Sequence, residues 1–496
     1  MKAMTRRSLL GLAGGATLGG FPSIARAQSR RPNILFLLTD DQRFDALSCA
    51  GNTILRTPHM DRIASEGIRF RQAFVTNSLC SPSRGTLLTG LYSHAHGVTT
   101  NGGKSHYFRP NTVTFPMLLR PAGYYTAVAG KWHIASEPAG FDHWAILPGQ
   151  GVYHDPAMIV NGGRVRLRGY VDDIIGDQAL EILRSRPKAQ PFCLLCQFKA
   201  PHRSWEPPAR LAKAFDDANI SQPPTFRISL EGRPAAIRYS DIQIADMPDF
   251  EDQGVSRSLP RDERGRLNFQ HFMKNYYRVL TAVDENVGRL LDYLDKEGLA
   301  RNTLVIYTSD NGFFAGEYGL FDKRMMYEPS IRVPMLARYP AGLSAGRVDY
   351  EHMVLNNDVA HTILDFAGVP RPDAMRLHGQ SWRPLLEQRQ PAWRDAWMYE
   401  YFEYPAVTCT GKMRGIRTRR WKYIHYIQEP QGFELFDLAS DPEERNNLYA
   451  EPAHQAVVRE LRERLNQMRA QLGDDFSEDG RPTPPCTVRI SGLPYR

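Results

Sequence analysis

The sequence predicts an α/β protein: a large, mostly parallel sheet sandwiched by helices, followed by a smaller C-terminal α+β subdomain. Three observations predict this. Four apolar runs of strand length each end in polar, chemically capable residues. Helical patterns with apolar spacing of three and four lie between them. After about residue 370 the pattern turns to alternating strands and a closing helix.

The runs come in order as Ile34–Leu38 leading into Asp40-Asp41, Tyr124–Ala129 into Gly130-Lys131-Trp132-His133, Phe192–Phe198 into Lys199-Ala200-Pro201-His202, and Thr303–Thr308 into Ser309-Asp310-Asn311-Gly312. A strand apolar throughout is covered on both faces, as in a parallel sheet. Helices are expected over Thr57–Gly67, Asp172–Arg184 and Tyr276–Glu297. In open α/β sheets ligands bind beyond the carboxyl ends of the strands, so the four polar run-ends should meet in one cleft. Downstream, Arg417–Tyr426 alternates like one antiparallel strand, Glu434–Leu438 like a second, and a helix is expected from about Ala453 to Leu472.

The chain of 496 residues exceeds one small core. Three segments are expected: an export signal over 1–27, a large domain over 28–370 and a smaller one over 371–496. The signal rests on Arg6-Arg7, a short Gly-rich apolar run and Ala25-Arg26-Ala27 before Gln28, the pattern of twin-arginine export to the periplasm or beyond. That run is too short to span a membrane, and nothing later reads as transmembrane. The net charge of +8 falls to +4 once Lys2, Arg6, Arg7 and Arg26 are set aside. This balance suits an anionic substrate, and no basic arm for nucleic acid is present. The six cysteines lack the spacing of a disulfide framework, and Cys193 and Cys196 read as buried strand residues.

Asp40, Asp41, Asp310 and Asn311 form a hard-oxygen ligand set, suited to Ca²⁺ or Mg²⁺ rather than zinc. In Cys80-Ser-Pro-Ser-Arg84, Pro82 favours a first helical turn, which places Cys80 at a positive helix N-terminus with Arg84 on the same face. His94, His96 and His106 read as loop or packing residues near the cleft.

Cys80-Ser-Pro-Ser-Arg84 followed by Gly85-Thr-Leu-Leu-Thr-Gly90 resembles the signature of type I sulfatases, which have an alkaline phosphatase-like fold. The likeness continues through Thr57-Pro-His-Met-Asp61, Gly130-Lys-Trp-His133, Ala200-Pro-His202, Ser309-Asp-Asn-Gly312, Asp322-Lys323 and Glu434-Leu-Phe-Asp-Leu438. It implies that a formylglycine-generating enzyme oxidises Cys80 to formylglycine, whose hydrate attacks the sulfur of a sulfate ester. Asp40, Asp41, Asp310 and Asn311 would hold a cation, usually Ca²⁺. Lys131, His202 and Lys323 would contact the sulfate and the leaving oxygen, with His202 or Lys323 as proton donor. Arg84 and His133 would hold the formylglycine diol.

The segment Phe141–Pro156 is similar to segments of sulfatases that act on glycosaminoglycans and N-acetylglucosamine 6-sulfate. It offers Trp144, Tyr153 and His154 as a sugar surface, with Trp205 as a further cleft wall. A carbohydrate sulfate is therefore expected. The rival readings are an aryl sulfatase, a phosphatase or phosphonate monoester hydrolase on the same fold, and a non-catalytic glycan-binding protein.

Overall fold

The computed structural model describes residues 31–475, apart from 239, 377, 405–409 and 428–430. The export signal read over 1–27, with Cys409 and Cys486, lies outside the described residues. A ten-stranded mixed sheet forms the centre. Four of its strands carry the site: β1 (Asn33–Thr39), β2 (Tyr125–Lys131), β3 (Phe192–Gln197) and β4 (Thr303–Ser309). They are adjacent in the order β4-β1-β3-β2, and every pairing among them is parallel. His143–Leu147 continues the parallel run beyond β2. Antiparallel pairings appear only outside this block, at Met335–Arg338 on one side and at Ala157–Val160 and Gly163–Arg166 on the other.

The continuous apolar pattern of β1 is explained by two cores. Leu35 and Leu37 enter one cluster with Val171, Ile175, Val283 and Leu290. Ile34, Phe36 and Leu38 enter the other with Leu87, Leu88, Val359 and Ile363. The first cluster is roofed by α2 (Val171–Ser185) and α3 (Arg261–Lys296), the second by α1 (Cys80–Thr89) and by Asp358–Ala367. Cys193 and Cys196 are buried on opposite faces, as expected of strand residues. Each fully buried Leu or Ile contributes about 1.5–3 kcal/mol, so both faces hold the strands in place.

Two expected elements differ. The helix expected from Tyr276 begins at Arg261, because Pro260 and the acids Asp262 and Glu263 start it while Phe269, Phe272 and Met273 anchor its early turns in the core. Arg417–Tyr426 is not one strand. Met413–Thr418 and Trp421–Tyr426 form a hairpin, closed where Oγ1 of Thr418 accepts the N–H groups of Arg420 (3.3 Å) and Trp421 (2.8 Å). With Ala396–Tyr401 and Gly432–Asp437 they make a four-stranded antiparallel sheet, packed on the closing helix Gln455–Leu472.

Candidate active site

Because β4, β1, β3 and β2 are parallel neighbours, the residues just past their carboxyl ends share one floor. Asp40 and Asp41 follow β1, Lys131 closes β2, Gln197 closes β3, and Asp310 and Asn311 follow β4. Main-chain bonds tie these ends together: Asp310 N–H to the Thr39 carbonyl (3.1 Å) and Asp40 N–H to the Ala200 carbonyl (3.2 Å). Asp41 has φ 67°, and its N–H donates to Oδ1 of Asp310 (3.1 Å). Gly130 is required beside Lys131: its φ is +109°, and a Cβ there would stand 1.9 Å from the Gln197 carbonyl oxygen.

The helix α1 begins at Cys80, with Leu79 as N-cap, so the cysteine does sit in its first turn. Gly85 lets the ring of His96 lie against the helix, since a Cβ would come within 2.7 Å of that ring. Cys80 and Arg84 project to the same carboxylate. Sγ of Cys80 is 3.6 Å from Oδ1 of Asp40, and Arg84 donates to Oδ2 of Asp40 (3.3 Å), Oδ2 of Asp310 (2.9 Å), the Lys131 carbonyl (2.5 Å) and Oε1 of Gln197 (2.9 Å). Lys131 donates to Oδ2 of Asp40, and Lys323 to Oδ1 of Asp41 (2.5 Å).

The structure brings together all ten site residues expected from sequence, and none is more than 7% exposed. Burial sets their charge states. It opposes the charge of Asp40, yet Lys131, His202 and Arg84 hold that carboxyl well below the usual range. Burial pushes Asp41 up to about 7 against the pull of Lys323. Burial and then Asp40 push the Cys80 thiol up to about 12. Burial and then Lys131 hold His133 and His202 well below 6.5, so both rings are neutral at pH 7. Nδ1–H of His202 donates to the Arg203 carbonyl (2.7 Å), which turns the Nε2 lone pair to Oδ2 of Asp41, 3.9 Å away. Burial also works against the ammonium of Lys323, but Asp41 outweighs it and holds its pKa well above the usual lysine value.

The donor set fits a divalent cation. Asp40, Asp41 and Asp310 each place a carboxylate oxygen within 4.8 Å of the others. Oδ1 of Asn311 is buried and has no hydrogen-bond partner. Four hard oxygens with one amide oxygen left unsatisfied make a site for an ion of the Ca²⁺ or Mg²⁺ kind.

Several contributors carried no sequence signal because their contacts are long-range. Gln197 fixes Arg84. Oγ of Ser81 donates to the His133 carbonyl (2.5 Å) and lies 2.8 Å from Nε2 of His106. His106 thus belongs to the site, whereas His96 packs on α1 and His94 bonds Glu400. Glu403, from the C-terminal part, accepts from the N–H of Asn101 (2.7 Å) and from Arg324 (2.7 Å). The expected sugar surface is corrected. Tyr153 is 1% exposed and donates its hydroxyl to the His202 carbonyl, and Trp205 is wholly buried among Phe250, Phe272 and Phe313. Trp144 is half-buried against the core, and of that segment's aromatic and imidazole groups His154 is exposed.

A buried floor of three carboxylates, an amide and three cations, facing a helix N-terminus, has the chemistry to receive an anionic ester. Residues 32–369 match the family model described as Sulfatase, and residues 316–471 match one described as N-sulphoglucosamine sulphohydrolase, C-terminal. The chain belongs to the sulfatase family and is a hydrolase of sulfate esters. It is 38% identical, over 97% of its length and 93% of the relative's, to an N-acetylglucosamine-6-O-sulfatase of Bacteroides thetaiotaomicron. It is 30% identical to the human N-acetylglucosamine-6-sulfatase, over 79% of this chain and 71% of that protein. A solved structure of a protein in complex with its substrate D-glucosamine-2-N,6-O-disulfate superposes with TM-score 0.84 at 38% identity, covering 91% of this chain and 100% of the other.

Proposed function

We propose that this sulfatase removes the 6-O-sulfate from N-acetylglucosamine-type residues of sulfated glycosaminoglycans, using formylglycine made from Cys80. The observation that carries the substrate class is the 38% identity, over 97% of the chain, to an enzyme named for that substrate. The chemistry of Cys80 supports the modified nucleophile: a thiol pushed up to about 12 holds no useful thiolate at neutral pH. When bound, Ca²⁺ (or Mg²⁺) on Asp40, Asp41, Asp310 and Asn311 supplies charge stabilisation and acidifies the formylglycine hydroxyl that attacks sulfur.

The chain's own residues do the rest. Arg84 spans Asp40 and Asp310; it helps to hold the Asp40 carboxyl low and opposes the burial and the Asp40 charge that raise Asp310. Lys131 and Lys323 offer ammonium groups to the sulfate oxygens, where charge develops in the transition state. His133, held through Ser81, orients the group at position 80. Lys323 carries a proton at neutral pH, and Nε2 of His202 gains proton affinity when an anion binds beside it. Both stand where a proton can pass to the departing alcohol.

Among the described residues, the groups able to hold a metal all share Asp40, which favours one cation and a sulfate ester over a phosphate monoester. A phosphonate monoester hydrolase of Agrobacterium radiobacter, TM-score 0.70 at 22% identity, shares the fold alone. Aryl sulfates remain artificial substrates because their leaving groups are good. The presence of Cys80, Arg84 and every metal ligand argues against a non-catalytic glycan binder. The test is sulfate release from N-acetylglucosamine 6-sulfate beside other sulfated sugars, with mass spectrometry of the Cys80 peptide. Preference for the 6-sulfate with an aldehyde or hydrate at Cys80 is expected; turnover by protein bearing an unmodified thiol overturns the mechanism.

The proposal includes twin-arginine export to the periplasm or beyond, maturation by a formylglycine-generating enzyme, and a smaller subdomain beginning near residue 371. Arg6-Arg7 supports the route. No helix among the described residues is long and apolar enough to cross a membrane. Replacing both arginines by lysine should leave the protein in the cytoplasm, and continued export would overturn this route.

A further inference from the structure

Asp172 sits at the second position of α2, where sequence marks it only as a helix-start acid. In the fold it is wholly buried, and no ion pair within 4.0 Å is formed by it among the described residues. A buried carboxylate without an ion-pair partner in contact is an expensive way to fill space, and burial pushes this one up to about 7 against its main-chain hydrogen bonds and the more distant ammonium of Lys199. What it supplies is acceptor geometry. Oδ1 takes the main-chain N–H of Lys199 (2.9 Å) and of Ala200 (3.4 Å), the residues that lead out of β3.

Those two residues are the hinge of the floor. The Ala200 carbonyl accepts the N–H of Asp40 (3.2 Å), and the Lys199 carbonyl accepts the N–H of His202 (3.2 Å). A second clamp comes from the same helix end. Val171 N–H donates to the Tyr153 carbonyl (2.8 Å), and the Tyr153 hydroxyl donates to the His202 carbonyl. One end of α2 therefore grips the 199–202 turn from both sides without touching the reacting atoms.

We propose that Asp172 is a positioning residue of the sulfatase reaction: by holding the turn 199–202 it sets where His202 stands relative to the leaving oxygen. This rests on the reading of His202 under the proposed function. A residue that acts this way affects kcat on substrates whose alcohol needs help to leave, and spares those whose alcohol does not. A residue that only supports the fold affects both alike.

The experiment compares mature wild type with Asp172→Ala, Asp172→Asn and His202→Ala on 4-nitrophenyl sulfate and on an aryl sulfate with a poor leaving group. Asp172→Ala should lower kcat on the poor leaving group by about 100-fold, the scale of an ångström-sized misplacement, lower it only a few-fold on 4-nitrophenyl sulfate, and leave KM within a few-fold. Asp172→Asn keeps the Oδ1 acceptor and should recover most of the loss. The double variant Asp172→Ala with His202→Ala should be no slower than His202→Ala alone. Equal losses on both substrates, no rescue by asparagine, or additive losses in the double variant would overturn the proposal. If the alanine variant does not fold, Asp172→Ser, too short to reach both N–H groups, is read by the same criteria. Because both substrates are aryl sulfates, the result does not depend on the sugar. If His202→Ala itself shows no dependence on leaving group, the role of His202 fails, and additivity in the double variant still decides for or against Asp172.

Discussion

Two buried ion clusters in this molecule each gather three carboxylates and treat them differently. The floor of the candidate site sets Asp40, Asp41 and Asp310 against Arg84, Lys131 and Lys323. The seam with the C-terminal sheet sets Glu328, Glu434 and Glu444 against Arg233, Arg417 and Lys422. In the seam each carboxylate oxygen meets a donor. Glu434 accepts from Arg233 (2.9 Å), Tyr327 (2.8 and 2.7 Å) and Tyr426 (2.8 Å), while Glu444 accepts from Lys422 (2.6 Å) and the N–H of Glu328 (2.8 Å). In the floor, Oδ1 of Asn311 has no donor and Oδ2 of Asp41 faces a neutral imidazole at 3.9 Å. A cluster whose every oxygen meets a donor of its own chain joins parts; one with acceptor oxygens left over suits a cation.

The comparison can be broken from either side. The largest effect is on activity: Cys80→Ala should reduce sulfate release by about 10⁴-fold or more, the scale seen when a nucleophile is removed, with the melting temperature little changed. Next is the seam. Glu434→Ala strands the Arg233 guanidinium and should lower stability by about 3–5 kcal/mol, while kcat measured well below the melting temperature stays within a few-fold. A denaturant titration beside a rate assay checks both halves, and a loss of kcat without a loss of stability would contradict the division of labour.

Third is the cation. Saturating Ca²⁺ at a thousand times its dissociation constant should stabilise the wild type by about 4 kcal/mol, and Asn311→Ala should remove most of that gain. Differential scanning calorimetry with and without a chelator reads it. The Glu434→Ala protein should keep its Ca²⁺ response, because the seam does not touch the floor.

The smallest effect is a pH dependence at a third contact between the two parts. Burial works against a charge on His94, but Glu400, 2.6 Å from Nδ1, outweighs it and raises the pKa to about 8. The folded value lies above the unfolded one of 6.5, so the stability it contributes is complete below pH 6.5 and fades as pH rises through 8. A shift of this size corresponds to about 2 kcal/mol. The difference in melting temperature between wild type and His94→Gln should shrink from pH 6 to pH 9; a constant difference would count against the ion pair.

Much of this arrangement was legible in the residues. Apolar runs ending in Asp40-Asp41, Lys131 and Asp310-Asn311 predicted both the parallel strands and their shared floor, because chemistry at a strand end needs only local pattern to be seen. Pro82 marked the start of α1 for the same reason. The rest required partners distant in the chain. Nothing near Asp172 shows that its carboxylate reaches Lys199, and nothing near Gln197 shows that it steadies Arg84. Tyr153 looked like a sugar platform because its segment is similar to ones in sulfatases that act on sulfated sugars. Its hydroxyl instead finds the His202 carbonyl, and the ring follows it inside. The extra turns of α3 were hidden by Arg261-Asp262-Glu263-Arg264, whose charge masks the apolar stripe that follows.

The strand order carries a consequence in time. The wall beside β1 is β4, whose Asp310 takes the hydrogen bond from Arg84. It lies about 230 residues after Cys80 in the chain. At a synthesis rate of about 5–20 residues per second, roughly 10–45 seconds pass between the moment Cys80 is polymerised and the moment the strand that seals it exists. During that interval the cysteine is open to another enzyme, and afterwards it has no exposed surface at all. Under the proposed maturation of Cys80, the topology would therefore work as a clock, with a deadline set by the ribosome rather than by the affinity of any partner.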